Sequence, residues 1–224
     1  MARQAERPAS DTTRQALVEA ALDGFGVKGF EGTSTRHIAQ AANTNIASIA
    51  YHFGGKEGLR RACAEFVVAT IRSVAEAVLR PEDEAAFAGL DRAAARQRIA
   101  AIIERMAGFI LTNPRANLVV RFMLREMIQP SVALDIIYGG IIEPTHKRLC
   151  RLWAAATGEE AESETTRLAV FAMMGQVLYF RIGREIVVRR MGWDKLGKDE
   201  AQAIAAVLKG NLDALLKAGK ERAS

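Results

Sequence analysis

Apolar side chains recur along this chain at intervals of three and four residues almost from end to end. Val and Ile fall at the same helical spacing instead of alternating, and Ala, Leu, Glu and Arg dominate. The pattern predicts an all-α protein. After a polar tail, Ser10 or Asp11 caps a first helix whose Leu17, Ala20, Ala21 and Phe25 share one face, with Gly26 and Gly29 ending it. Gly32, Thr33 and Ser34 restart the chain, the hydroxyls capping a short helix near 34–41 with Ile38 and Ala39 inward. Asn43 tolerates the left-handed backbone of a tight turn, and Asn45 caps a third helix running to Phe53, its Ile46, Ile49 and Phe53 facing in.

Gly54-Gly55 breaks the pattern again. From Lys56 a long amphipathic helix follows, with Leu59, Cys63, Phe66, Thr70, Val74 and Val78 in register, and it ends at Arg80-Pro81. At ~1.5 Å per residue it spans about 36 Å, enough to join two domains. A polar linker over 82–90 leads to helical runs at 91–111, 115–128, 131–156, 162–190 and 199–217, and Pro144, after Gly139-Gly140, predicts a kink within the third of these. Residues 1–55 thus read as an N-terminal helical domain, 56–80 as a connecting helix and 81–224 as a C-terminal helical bundle.

Composition narrows the class. With 224 residues, 50% hydrophobic, 25% charged, 18 Gly and 5 Pro, the chain is neither disordered nor collagen-like. Cys63 and Cys150 stand alone, without metal spacing, and read as reduced thiols of a cytoplasmic protein. The N-terminal MARQAERPAS has no apolar core, and the apolar run from Leu168 to Phe180 is too short for a span, so no membrane partner is expected. The net charge of +5 decides little, because through Arg60 only 7 basic residues face 6 acidic ones. A nucleic-acid reading must rest on pattern.

That pattern is two short helices joined by a turn of three to four residues, the spacing of a helix-turn-helix. With the apolar residues inward, Thr44, Asn45, Ala47, Ser48 and Tyr51 lie on the other side, a small and uncharged face suited to close approach in a major groove. Thr35, Arg36 and Lys56 sit at helix starts, where backbone N–H groups favour phosphate. Gly54-Gly55-Lys56 lacks the earlier Gly and the following hydroxyl of a phosphate loop.

The stretch TSTRHIAQAANTNIASIAYHFGGKEGL, Thr33 to Leu59, resembles the DNA-binding segment of the TetR family. VRFMLREMIQPS, IIEPTHKRLCRLWAAATG and GQVLYFRIGREIVVRRMGW are similar to the C-terminal domain of its CecR branch, so the resemblance covers nearly the whole chain. It implies phosphate contacts at Thr35, Tyr51, His52 and Lys56, base contacts at Thr44, Asn45, Ala47 and Ser48, and a double-stranded operator as partner. It also implies repression rather than activation. Many members carry Gly-Val where this chain has Asn43-Thr44, and Tyr where it has Ala50.

From Leu168 to Gly183 the pattern is apolar nearly all round, so a second subunit is expected to cover what the bundle does not. Val170, Met173, Met174, Val177 and Leu178, with Leu208 and Leu212 of the last helix, are the candidate homodimer interface, in agreement with the family's four-helix interface. Arg121, Phe122, Glu126, His146 and Arg181 are the candidate contacts for a small amphipathic effector, although charged neighbours on these helices equally suit structural ion pairs. Three His, no clustered carboxylates, no G-x-S-x-G and no H-E-x-x-H leave an enzyme without its parts, and no metal or cofactor is expected. The expectation is a ligand-responsive DNA-binding regulator. A helical DNA-binding or interaction module without an effector is the alternative.

Overall fold

The computed structural model of the chain describes residues 6–76, 87 and 89–223, and no strand occurs among them. The helices are α1 (Glu6–Lys28), α2 (Thr35–Ala41), α3 (Ala47–Phe53), α4 (Lys56–Ala75), α5 (Arg92–Thr112), α6 (Pro114–Ile128), α7 (Val132–Ile137), α8 (Glu143–Thr157), α9 (Glu164–Ile182), α10 (Arg184–Met191) and α11 (Lys198–Ala223). They form two units. One takes the chain up to Thr70 together with Asn117–Gly140, and the other takes Ile71–Ala116 and the chain from Ile141 onwards. Helix α6 therefore contributes mainly to the first unit, although it follows α5 of the second.

In the first unit the core begins with Leu17, Ala21 and Phe25 of α1, Ile38 of α2, Ile49 of α3 and Leu59 and Cys63 of α4, all buried. Phe122 of α6 lies 6.5 Å from Phe25, ring to ring. Gly26 does not end α1 but lies within it. A Cβ there would come within 2.9 Å of Arg121 Cβ and 3.2 Å of Phe122 N, so α6 crosses α1 at backbone distance. Gly29, at φ +76°, follows the last residue of α1.

The second unit is built on α5, α8, α9 and α11 around Trp153, Leu149, Ile99, Ile103, Val170 and Leu208. Phe87, expected in a polar linker, is buried in this core, where its ring is removed from water. Val78, the expected helix end at Arg80-Pro81 and the linker positions 82–86 and 88 lie outside the described residues. The run expected at 131–156 divides into α7, a π-helical turn at Tyr138–Ile142 and α8. Pro144 sits in the first turn of α8, directly after the π-helical turn. The run expected at 162–190 breaks at Gly183 into α9 and α10.

Candidate nucleic-acid interface

The turn between α2 and α3 is built from local hydrogen bonds. Ser34 caps α2 by accepting from His37 N at 3.2 Å, and buried Thr33 donates its hydroxyl to Gly29 O at 2.8 Å. Asn43 takes φ +50°, alone among the described non-glycine residues, which lets Thr44 N reach back to Ala39 O at 2.9 Å. Asn45 Oδ1 then accepts from Ala47 N at 2.9 Å and starts α3. At the far end Gly54, at φ +70°, donates its N–H to Ala50 O and closes the helix.

Not all expected orientations hold. Ile49 faces inward, but Ile46 is 48% exposed and leaves the core to Ile49. The exposed side of α3 and its entry is Asn45, Ile46, Ala47, Ala50 and Tyr51, the last 83% exposed. Thr44 and Ser48 are half-buried, and their hydroxyls lie 3.2 Å apart, each engaged by the other. The Tyr51 ring meets the edge of His52 at 4.9 Å. Arg36 is exposed and Thr35 half-buried in the first turn of α2.

Lys56 opens α4 with its ammonium 4.1 Å from the centre of the Phe30 ring. Arg60, one turn on, places its guanidinium 4.6 Å from the same ring and donates to both carboxylate oxygens of Glu126, at 2.9 and 3.1 Å. Ser131, which caps α7, donates its hydroxyl to Glu126 Oε2 at 2.6 Å. Sequence reasoning named Lys56 and Glu126 but missed Phe30 and Arg60, since Arg60 and Glu126 stand 66 positions apart.

The candidate effector residues do not share a unit. Arg121, Phe122 and Glu126 belong to the first and His146 and Arg181 to the second. Phe122 is fully buried, Glu126 is held by Arg60, and Arg121 is half-exposed at 4.0 Å from Asp23. His146 is buried, stacked on Phe171 at 3.9 Å, with Nε2 3.2 Å from Arg167 O. Arg125 donates to Val27 O at 3.0 Å, so the ion pair of this helix runs from Glu126 to α4 and not to Arg125. An open cleft of about 270 Å³ lies between α5 and α11, lined by Glu104, Gly108, Thr112, Lys198 and Lys209 among others, and none of the five candidates lines it.

Of the candidate interface residues, Val170, Met173, Val177, Leu208 and Leu212 face the core of their own unit, while Met174 and Leu178 are half-buried. Helical spacing identified an apolar helix but not which of its sides the bundle uses. The uncovered side carries Leu168, Phe171, Tyr179 and Ile182, with Ile186 on α10 and Val207 on α11. Burial and the nearby Glu126 push the Cys63 thiol far up, and Cys150 is pushed up to about 11, by burial first and Glu162 second, against Arg167. Neither is a nucleophile at neutral pH. Among the described residues no helix is long and apolar enough to cross a membrane.

Comparison with known proteins adds to this geometry. The model for bacterial regulatory proteins of the tetR family matches residues 17–63, and that for the C-terminal domain of the HTH-type transcriptional dual regulator CecR matches residues 95–219. The dual regulator CecR of Shigella flexneri is 34% identical over 217 residues, 95% of each chain. Among solved structures, AibR in complex with isovaleryl coenzyme A and operator DNA aligns with a TM-score of 0.65 at 17% identity, over 89% of this chain and 97% of that one. A putative transcriptional regulator from Pseudomonas aeruginosa PAO1 aligns with a TM-score of 0.67 at 15% identity, over 94% and 93%. At such identities the structural likeness is one of fold.

Proposed function

The chain belongs to the TetR family of bacterial regulatory proteins, with a C-terminal domain of the CecR kind, and on that premise we propose that it is a homodimeric repressor released from a pseudo-palindromic operator by a small amphipathic effector. Its relatives are transcriptional regulators and not enzymes. The observation that carries the reading is α3, a short helix whose exposed side holds no charge, preceded by exposed Arg36 and followed by Lys56. Uncharged side chains enter the groove while cations hold the flanking phosphates.

In this reading Thr35, Arg36, Tyr51, His52 and Lys56 position the backbone, and Asn45 and Ala47 meet base edges. Thr44 and Ser48 reach a base only by exchanging their mutual hydrogen bond for one to DNA. The homodimer forms through the uncovered side of α9 with α11, around Phe171, Tyr179 and Val207. Of the candidate effector residues, Phe122, Glu126 and His146 are committed within the fold. AibR, of the same fold, is described with an acyl-coenzyme A and operator DNA together, which favours an effector over a module without one. A second reading, that the protein also activates transcription, is favoured by the description of its Shigella relative as a dual regulator.

The test is a protection map of the DNA upstream of the protein's own gene, paired with a salt titration on the protected duplex. Two half-sites about 34–36 Å apart are expected, with affinity falling steeply as salt rises. Lys56→Ala should reduce the salt slope by about one on every sequence, whereas Ser48→Ala should change preference at one or two base pairs. No protected site and a flat salt response would remove the DNA reading altogether. Transcription of a reporter from the mapped site, with and without the protein, separates repression from activation.

A further inference from the structure

We propose that Ile46 is a specificity-determining residue that reads the 5-methyl group of thymine in the operator. The inference rests on α3 as the DNA-reading helix and adds what kind of base that helix selects. Ile46 precedes α3 with αR backbone angles (φ −57°, ψ −32°) and makes no capping bond through its side chain, which is 48% exposed where the apolar pattern would have it buried. Ile49, three positions on, takes the inward place. At 100° per residue, Ile46, Ala47, Ala50 and Tyr51 fall along one side, and all four are exposed.

The chemistry of that side limits what it can recognise. Ile46, Ala47 and Ala50 carry no donor or acceptor, so they cannot form the bidentate pairs that Arg makes with guanine or Asn with adenine. The hydroxyls of Thr44 and Ser48 are bonded to each other, and the Asn45 amide oxygen accepts from Ala47 N. The two alanines keep the helix thin and allow its backbone to come close. Of the groups on base edges in the major groove, the thymine methyl is the one an aliphatic side chain favours, because both leave water on contact. An exposed isoleucine on the side that approaches the bases therefore selects thymine opposite it in each half-site.

Replacing thymine by uracil removes that methyl and nothing else. Duplexes bound by the full-length protein are selected from a randomised synthetic library and remade with uracil for thymine, one half-site position at a time. The wild type should lose about three- to fivefold in affinity at one or two positions per half-site, the effect of withdrawing one methyl from apolar contact. Ile46→Ala should bind thymine and uracil duplexes alike with an unchanged salt slope, while Ile46→Val should keep the difference. The wild-type comparison needs no variant, and an exposed position leaves the fold intact, which a thermal melt checks. Equal wild-type affinity for thymine and uracil at every position, or a penalty that persists in Ile46→Ala, overturns the assignment. A wild type that selects no sequence at all would instead bring down α3 as the reading helix.

Discussion

Gly58, in the first turn of α4, shows how much of this site hangs on single positions. A Cβ there would run into the carbonyl oxygen of Phe53, the last residue of α3, which lies in backbone and cannot swing aside. Gly→Ala inside a helix ordinarily gains up to ~1 kcal/mol. Here the clash reverses the sign, and Gly58→Ala is expected to cost about 2 kcal/mol or more by urea unfolding. A variant as stable as the wild type would mean that α4 does not approach α3 so closely. Positions of this kind are hard to read beforehand. Asn43 was legible, because a left-handed turn favours a short polar side chain, and Ser34 was legible as a cap. Ile46 was not, since in a helix of two turns, apolar spacing alone does not say which of two neighbouring isoleucines wins the core.

Between elements, the contacts that matter are polar and distant in sequence. Arg60 and Glu126 tie α4 to α6, with side chains 13% and 3% exposed and Ser131 taking part in the same cluster. Glu126→Ala leaves a nearly buried guanidinium without its carboxylate, and should cost about 3–5 kcal/mol in chemical unfolding. Arg60→Met in the same chain should recover much of that loss, and a double-mutant cycle without coupling would show that the pair does not hold the helices together. In the second unit Glu159, just past α8, accepts from Trp153 Nε1 and from Arg222 Nε of α11, both at 2.8 Å. Burial pushes its carboxyl up, but these two hydrogen bonds and the Arg222 charge hold it below the ordinary glutamate range. The stabilisation it provides is therefore complete above that range and drains away as pH falls through the lowered value. Glu159→Gln should melt below the wild type at neutral pH, with the gap closing in acid. A gap of constant size across the titration would mean that shape and not charge is what matters there. Helix existence was legible from periodicity. The interruptions at Tyr138–Ile142 and Gly183 were only partly so, because apolar residues at helical spacing continue across both and tertiary packing decides where the ladder breaks.

At the scale of the whole molecule, the all-helical fold and its N-terminal helix-turn-helix followed from spacing, caps and glycine punctuation alone. Which side of α9 stays uncovered did not, because a helix that is apolar on all sides gives no sign of which side its own bundle keeps. The side left over makes the prediction sharper. Tyr179→Glu, on the exposed side of α9, should cost several kcal/mol of association, on the order of 3 or more, and sediment as a folded monomer at micromolar concentration. A dimer that survives this change places the interface elsewhere. Met174→Glu is the useful contrast, because Met174 packs against the core of its own unit and its loss should lower stability as well. The uncovered stripe from Leu168 to Ile182 also bears on how the gene is run. A bacterium that keeps only a handful of copies of a regulator holds it near nanomolar concentration, where pairing demands about −12 kcal/mol of association free energy. If the stripe supplies less than that, the freshly translated chain is mostly single, and occupancy of a two-fold site climbs with the square of copy number. Dosage itself would then set the threshold at which the site fills.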